Sequence, residues 1–290
     1  MTTLAASGGG GLAEPGGGLG LLDVFRRRYL LTLLVRKELR VRYRGSVLGL
    51  AWSYVKPAVQ FLVFYFVLGV FLQLNRSLQD FAIYLFAGIT LMNFFSEAFG
   101  NATRAIVSNA SLVKKIYLPR ELFPVASLLV AGVHLVPQLV ILVVAALVTG
   151  YEFSVGAVAA FLLGLGIAAV LALGLGLVFA AANVFFRDFE NIVDLILLVA
   201  TWASPVLYPW TLVRDALGDG LALQIYLANP ITMAVSMFQR AFWWPGTDMT
   251  FSFPPHLWLR AVIAFAMSVA VLVVGQLVFR RLESKFAQEL

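Results

Sequence analysis

Residues Arg36 to Trp52 read RKELRVRYRGSVLGLAW, a strongly basic stretch followed, past Lys56 and Pro57, by a long apolar run without a charge. Arg36, Arg40 and Arg44 recur every fourth residue, with Leu33, Val41, Leu48 and Trp52 among the apolar positions. Arg42 and Tyr43 complete the basic–aromatic core of the stretch. Such a segment suits a helix on a membrane surface, charges toward lipid headgroups and apolar side chains beneath them. Read alone, it also fits an ordinary basic anchor beside a membrane span.

The rest of the chain agrees with a membrane setting. Of 290 residues, 61% are hydrophobic and 12% charged, against about 45–50% and about 25% in soluble domains. Mean hydropathy is +0.91. The length suits about six spans of about 20 residues plus connections. Absence of cysteine excludes disulfides, thiolate metal sites and cysteine nucleophiles. The net charge of +6 is gathered beside the apolar spans rather than along one soluble face, so anionic lipid explains it better than nucleic acid.

Working outward, residues 1–20 are a Gly-rich tail expected to be disordered, with neither a secretory signal nor a phosphate-binding loop. Residues 21–53 form the amphipathic interface helix, and 54–290 the transmembrane domain. Its spans are expected at about 54–74, 81–103, 122–149, 155–183, 192–208 and 256–279. The first carries an aromatic-rich stripe, Phe61, Phe64, Tyr65, Leu68 and Phe71 at helical spacing, which serves either lipid contact and helix packing or a pore lining. The second carries Asn93, Glu97, Asn101 and Arg104 on one face, where costly intramembrane polar groups turn toward a bundle interior or wet cavity. Pairing of Glu97 with Arg104, seven residues on, is the favoured reading of that face.

His134 in the third span has no carboxylate or second histidine at ligand spacing and reads as a polar packing residue. Gly164, Ala168, Ala172, Gly176 and Ala180 give the fourth span a small-residue face for close helix contact. Glu190 and Asp194 are explained by neighbouring Arg187 and the membrane boundary. Residues 211–255 suggest two short helices dipping into the outer leaflet, with tryptophans at headgroup level. With both termini inside, seventeen of the 21 lysines and arginines fall on the inner side, a decisive orientation bias. No Walker-type loop occurs, so the chain itself is not an ATPase, and no nucleophile–base pair suggests an enzyme.

Two stretches carry a resemblance. The order R-x-x-L-x-x-R-Y-R-G-S-x-L-G-x-x-W before a proline and an apolar span, and NASLVKKIYLPRE from Asn109 to Glu121, resemble the transmembrane subunit of ABC-2 type exporters. The branch they resemble exports O-antigen, teichoic acid and cell-wall galactan as lipid-linked polysaccharides. Leu118 stands where that pattern has an aromatic. The resemblance implies an all-α polytopic membrane protein of six transmembrane helices, with an interface helix (Arg36, Arg40, Arg42, Tyr43, Arg44, Trp52) and short periplasmic re-entrant helices.

It further implies a coupling helix through Ser108, Asn109, Leu112, Lys114, Lys115 and Tyr117 that docks on an ABC ATPase subunit, two copies of which bind ATP and magnesium. The chain itself would hold no cofactor and no metal. Phe61, Phe64, Tyr65, Leu68, Phe71, Trp202 and Tyr208 would line the channel of a homodimer in a bacterial inner membrane. Drug or lipid export by an ABC-2 permease is the nearest alternative; an ion-conducting oligomer and a membrane glycosyl-transfer enzyme are more distant ones.

Overall fold

The computed structural model describes residues 20–47, 49–115, 118–152 and 154–290, and among them every regular element is helical. The tail 1–20, apart from Gly20, lies outside the described residues, as do Leu48 and Tyr117. Two helices open the chain, α1 (Leu21–Arg26) and α2 (Arg28–Arg42). Next, α3 (Trp52–Phe64) runs on without a break into a wider π-helical stretch, Tyr65–Phe71. The short α4 (Leu74–Ser77) leads into α5 (Phe81–Ser108), α6 (Ala110–Lys115), α7 (Leu122–Val148) and α8 (Val155–Phe185). Then come α9 (Phe189–Trp202), α10 (Trp210–Leu217), α11 (Leu221–Ala228) and α12 (Pro230–Phe242). The chain closes with α13 (Leu257–Glu283) and α14 (Phe286–Glu289).

Five of these, α3 with its extension, α5, α7, α8 and α13, are long and apolar enough to cross a membrane. A sixth arises if α11 and α12, bent by 72° where they meet, count as one broken span. The bend lies at Asn229-Pro230: the Asn229 side chain accepts from the Ile231 N–H at 3.0 Å, and Pro230 takes the first helical position, where a missing N–H costs little. The expected span 192–208 is α9, only 14 residues or about 21 Å long, against about 30 Å of hydrocarbon. Pro205 accounts for its early end, because a proline disfavours helix in the residue before it.

The helices pack around α5, whose span is 78% buried. Helices α7, α8 and α12 surround it. The small-residue face of α8 meets helices of this same chain: Ala168, Ala172 and Ala180 are fully buried. A Cβ on Gly164 would stand 2.9 Å from the Ala234 carbonyl oxygen of α12, and one on Gly176 would stand 2.6 Å from the Ala102 methyl of α5. Where α8 crosses α13, a Cβ on Gly275 would run into the Gly174 carbonyl oxygen, so the two backbones touch. Segment 211–255 differs from expectation. It forms three helices rather than two; the bent pair α11–α12 has the form of a broken span or a re-entrant loop, and α12 is almost wholly buried in the core.

A second, smaller core lies at the end of the bundle that holds α1, α2, α6 and α14. Val24, Leu34, Val113, Phe279 and Phe286 meet there. The basic residues of α1 and α2, with Lys114 and Lys115 of α6, belong to this basic end. Helix α2 does not stand apart on a surface: it lies along α7 and buries Leu34 there.

Candidate functional site

Where the basic stretch turns from α2 into α3, it meets the polar residues of two long helices. Arg42 at the end of α2 donates to Glu97 Oε1 of α5. The same carboxylate oxygen lies 2.7 Å from His134 Nδ1 of α7, and the other ring nitrogen lies 2.8 Å from the Tyr43 hydroxyl. Tyr43 also meets the Ser53 hydroxyl of α3 at 2.7 Å. A carboxylate only accepts, so the Nδ1 facing Glu97 carries a proton. Four segments are thus tied together: the two bonds to the Glu97 carboxylate are charge-assisted, about 1.5–3 kcal/mol each when well made, and the two neutral bonds of the Tyr43 hydroxyl are worth about 0.5–1.5 kcal/mol each.

This corrects three sequence readings. Glu97 does not pair with Arg104. Seven residues are nearly two turns, and both side chains have better partners on other helices. Arg104 reaches Glu190 at 3.2 Å and Asp194 at 2.9 Å on α9, so Arg104 rather than the exposed Arg187 neutralises those carboxylates. Asn183 of α8 joins them, donating to Glu190 Oε1 at 2.9 Å. His134 likewise has a carboxylate partner, supplied by another helix. A signal for that pair was present: Glu97 lies eleven residues before the end of α5 and His134 twelve after the start of α7. Equal distances from one connection bring two antiparallel helices level.

Between these two networks opens a cleft of about 890 Å³. Asn93, Glu97, Asn101 and Arg104 all line it, which places the expected polar face of α5 on one cavity. Helix α3 contributes Trp52, Ser53, Lys56 and Gln60, and α7 contributes His134 and Gln138. Of these, Ser53, Lys56, Gln60 and Gln138 were not assigned to a site from the sequence, whereas Asp194 of α9, which also lines the cleft, was read there with Glu190 as a boundary carboxylate. The signal of the first four was a polar residue within or beside an apolar run.

The depth of the cleft follows from α3. From Trp52 to Phe71 it has 20 residues, roughly 30 Å, the thickness of a bilayer core. The start of α3 therefore marks one membrane boundary. Glu97 and His134, bonded to Arg42 and Tyr43 just before that start, lie at the boundary rather than at mid-membrane, which removes much of the cost of placing polar groups in a span.

The remaining expected site residues fall in separate places. Phe61, Phe64, Tyr65 and Leu68 turn toward the core. Phe61 meets Phe86 edge-on with centroids 5.4 Å apart, and Tyr65 stacks near Phe81. Phe71 and Trp202 are exposed, and the Tyr208 hydroxyl donates to the Trp202 carbonyl. Around α6, Ser108 ends α5, and Asn109 is buried. Its amide donates to the Ala105 carbonyl at 2.9 Å, and its Oδ1 accepts from Lys37 of α2. Lys114 and Lys115 stand exposed at the end of α6, and Leu112 packs at the basic end. Arg36, Arg40 and Arg44 make no contact with the cleft, whereas Arg42, Tyr43 and Trp52 line it. Among the described residues no group of three or more His, Asp or Glu is placed to hold a metal.

Comparison with known proteins adds to this geometry. The pattern of the ABC-2 type transporter family matches residues 29–243. Over 221 residues, the chain is 28% identical to the O-antigen export system permease protein RfbA of Myxococcus xanthus, covering 76% of this chain and 83% of that protein. Over 260 residues it is 25% identical to an O-antigen export system permease protein RfbA of Klebsiella pneumoniae, covering 89% and 94%. A second Klebsiella pneumoniae protein of that name is 23% identical over 267 residues, with the same coverage.

Proposed function

Because the chain belongs to the ABC-2 type transporter family, we propose that it is the transmembrane permease subunit of an ATP-driven exporter, carrying a lipid-linked polysaccharide outward across a bacterial inner membrane. The observation that carries this reading is the similarity to O-antigen export permeases across 83–94% of their lengths. Charge supports the orientation: the basic end, with both termini, faces the cytoplasm. The cleft then lies at the inner boundary, open to a substrate made in the cytoplasm.

Two copies would pair as a homodimer, a common closed arrangement, and complete one path. Each would receive an ABC ATPase on the segment Ser108 to Tyr117, with ATP and magnesium held by that partner. Asn109 suits a coupling role because it touches Lys37 of α2 while capping the approach to α6. Movement at α6 thus passes to α2, and from Arg42 to the walls of the cleft. The driving force is the preference of the ATPase pair for ATP in its closed arrangement. Phe71 and Trp202, exposed on α3 and α9, suit the lining of the path, where ring faces slide over sugars without fixing one pose.

Charge reversal at Lys114 and Lys115, in the permease reconstituted with its ATPase, tests the coupling. Export should fall at least tenfold while basal ATP hydrolysis continues. Unchanged export would remove α6 from this role.

A further inference from the structure

Directly above the polar cleft lies a second space of different character. It measures about 190 Å³, between the start of α3, the far part of α5 and α7. Tyr54, Ala58, Phe61, Phe86, Ile141 and Ala145 wall it, almost entirely with carbon. Two residues belong to both spaces: Pro57 of α3 and Gln138 of α7. With the membrane boundary at the start of α3, the polar cleft opens at that boundary, and the slot reaches deeper into the hydrocarbon along α5 and α7, to Ile83 and Ala145. That is the order of head and chain in an inner-leaflet lipid.

Charge at the junction is selective. Arg42 and Arg104 line the cleft, but each is already held by carboxylates, Arg42 by Glu97 and Arg104 by Glu190 and Asp194. Lys56, beside Pro57, is an exposed lining cation with no carboxylate partner among the described residues. Gln138 is 5% exposed, and its Oε1 has no hydrogen-bond partner there, although an unpaired buried acceptor costs about 1–3 kcal/mol. An uncommitted ammonium and an uncommitted acceptor therefore flank the passage from polar to apolar space. One free cation among the lining residues suits a phosphate-bearing group at one end of a glycan, mono- or diphosphate, rather than a polymer with a phosphate on every unit.

We propose that cleft and slot form one binding site for the anchored end of a lipid-phosphate-linked glycan, with its phosphate at Lys56, its first sugars among the amides of the cleft, and the head-proximal part of its lipid chain in the slot beside Pro57. The proposal rests on the exporter reading and adds where the lipid end binds. In it, Gln138 Oε1 accepts from a sugar hydroxyl. Asn93, Asn101 and Gln60 offer further amides, and Trp52 offers a ring face. The small slot takes only part of a long chain, and the remainder stays in the bilayer past the exposed face of α3.

The test uses the full chain with its ATPase in vesicles. The probe is a polyprenyl-diphosphate-linked N-acetylglucosamine; free N-acetylglucosamine oligomer and phosphatidylglycerol are comparisons. Because the chain has no cysteine, Ala145→Cys can be blocked by a maleimide after folding, which separates occupation of the slot from misfolding. Blocking should raise the probe concentration for half-maximal ATPase stimulation at least tenfold relative to the same protein before labelling. Labelling Val144→Cys, the next residue on the exposed face of α7 and outside the slot, should leave it unchanged. Lys56→Gln should weaken the response to the lipid diphosphate and leave binding of the free oligomer alone.

A blocked slot with an unaltered response would overturn the proposal. Competition by phosphatidylglycerol as strong as by the probe would also overturn it and assign the slot to ordinary lipid. No response of the parent complex to the lipid-linked sugar, together with no export, would instead overturn the exporter reading on which the proposal stands.

Discussion

Helices α3 and α5 are similarly apolar, yet only 11% of the α3 span's residues are buried, against 78% of those in α5. Composition therefore says that both can enter a membrane and nothing about which is core. What separates them is the kind of residue. Helix α5 has Ala87, Gly88, Ala98, Gly100, Ala102 and Ala105 between its aromatic rings, so neighbours can close on it from several sides. In lipid, where apolar burial gives little net gain, such close packing drives helix association. Helix α3 carries Val59, Leu62, Val63, Phe66 and Val70 outward and touches the core along one narrow face. Its polar start lines the cleft. An ordered centre and a lightly held flank are the arrangement expected of a wall that shifts while the bundle stays intact.

The contrast can be broken most strongly at its centre. Phe99 is fully buried, edge-on to Phe179 of α8 with centroids 5.4 Å apart. Phe99→Ala should cost on the order of 3 kcal/mol, read as an earlier midpoint when the purified protein is titrated with a denaturing detergent. Loss at the junction should be smaller. Glu97→Ala leaves Arg42 and His134 without their carboxylate and should cost about 1–2 kcal/mol, since both ends of the ion pair keep some solvent contact. Its sharper signature is local: protease cleavage between Tyr43 and Trp52 should quicken several-fold while α5 remains protected. The smallest effect belongs to the flank. Phe66, 52% exposed on α3, should tolerate alanine within about 0.5 kcal/mol. A loss comparable with that of Phe99→Ala would show that α3 is as tightly held as α5.

Much of this was readable from the residues. Long apolar runs bounded by Asp80, Pro119, Gly150 and the charged turn at Arg187 place α5, α7 and α8 to within a few residues, because uninterrupted apolar length is the membrane's own criterion. The small-residue face of α8 was also legible, and the structure adds its partners in the same chain. What escaped were pairings between helices. Arg104 finds Glu190 and Asp194 more than eighty residues away, and Glu97 finds Arg42 and His134 on two other helices; spacing within one helix cannot reveal either. Helix α9 also misled, since its apolar residues run on past Trp202 although Pro205 stops the helix. Helix α12 was hidden for the opposite reason. Gln239 and Arg240 suggest a surface, but Gln239 donates to the Pro205 carbonyl at 2.7 Å, and Arg240 lies 4.4 Å over the Trp244 ring.

In the proposed function this chain supplies a path and a separate ATPase drives it. Depleting it from cells, with the ATPase still present, tests that most directly when the lipid-linked polymer is then located on either side of the membrane. Polymer should accumulate on the cytoplasmic face and vanish from the surface, and the Lys114→Glu/Lys115→Glu form should fail to restore it. Surface polymer continuing at its former level after depletion would contradict the proposed function.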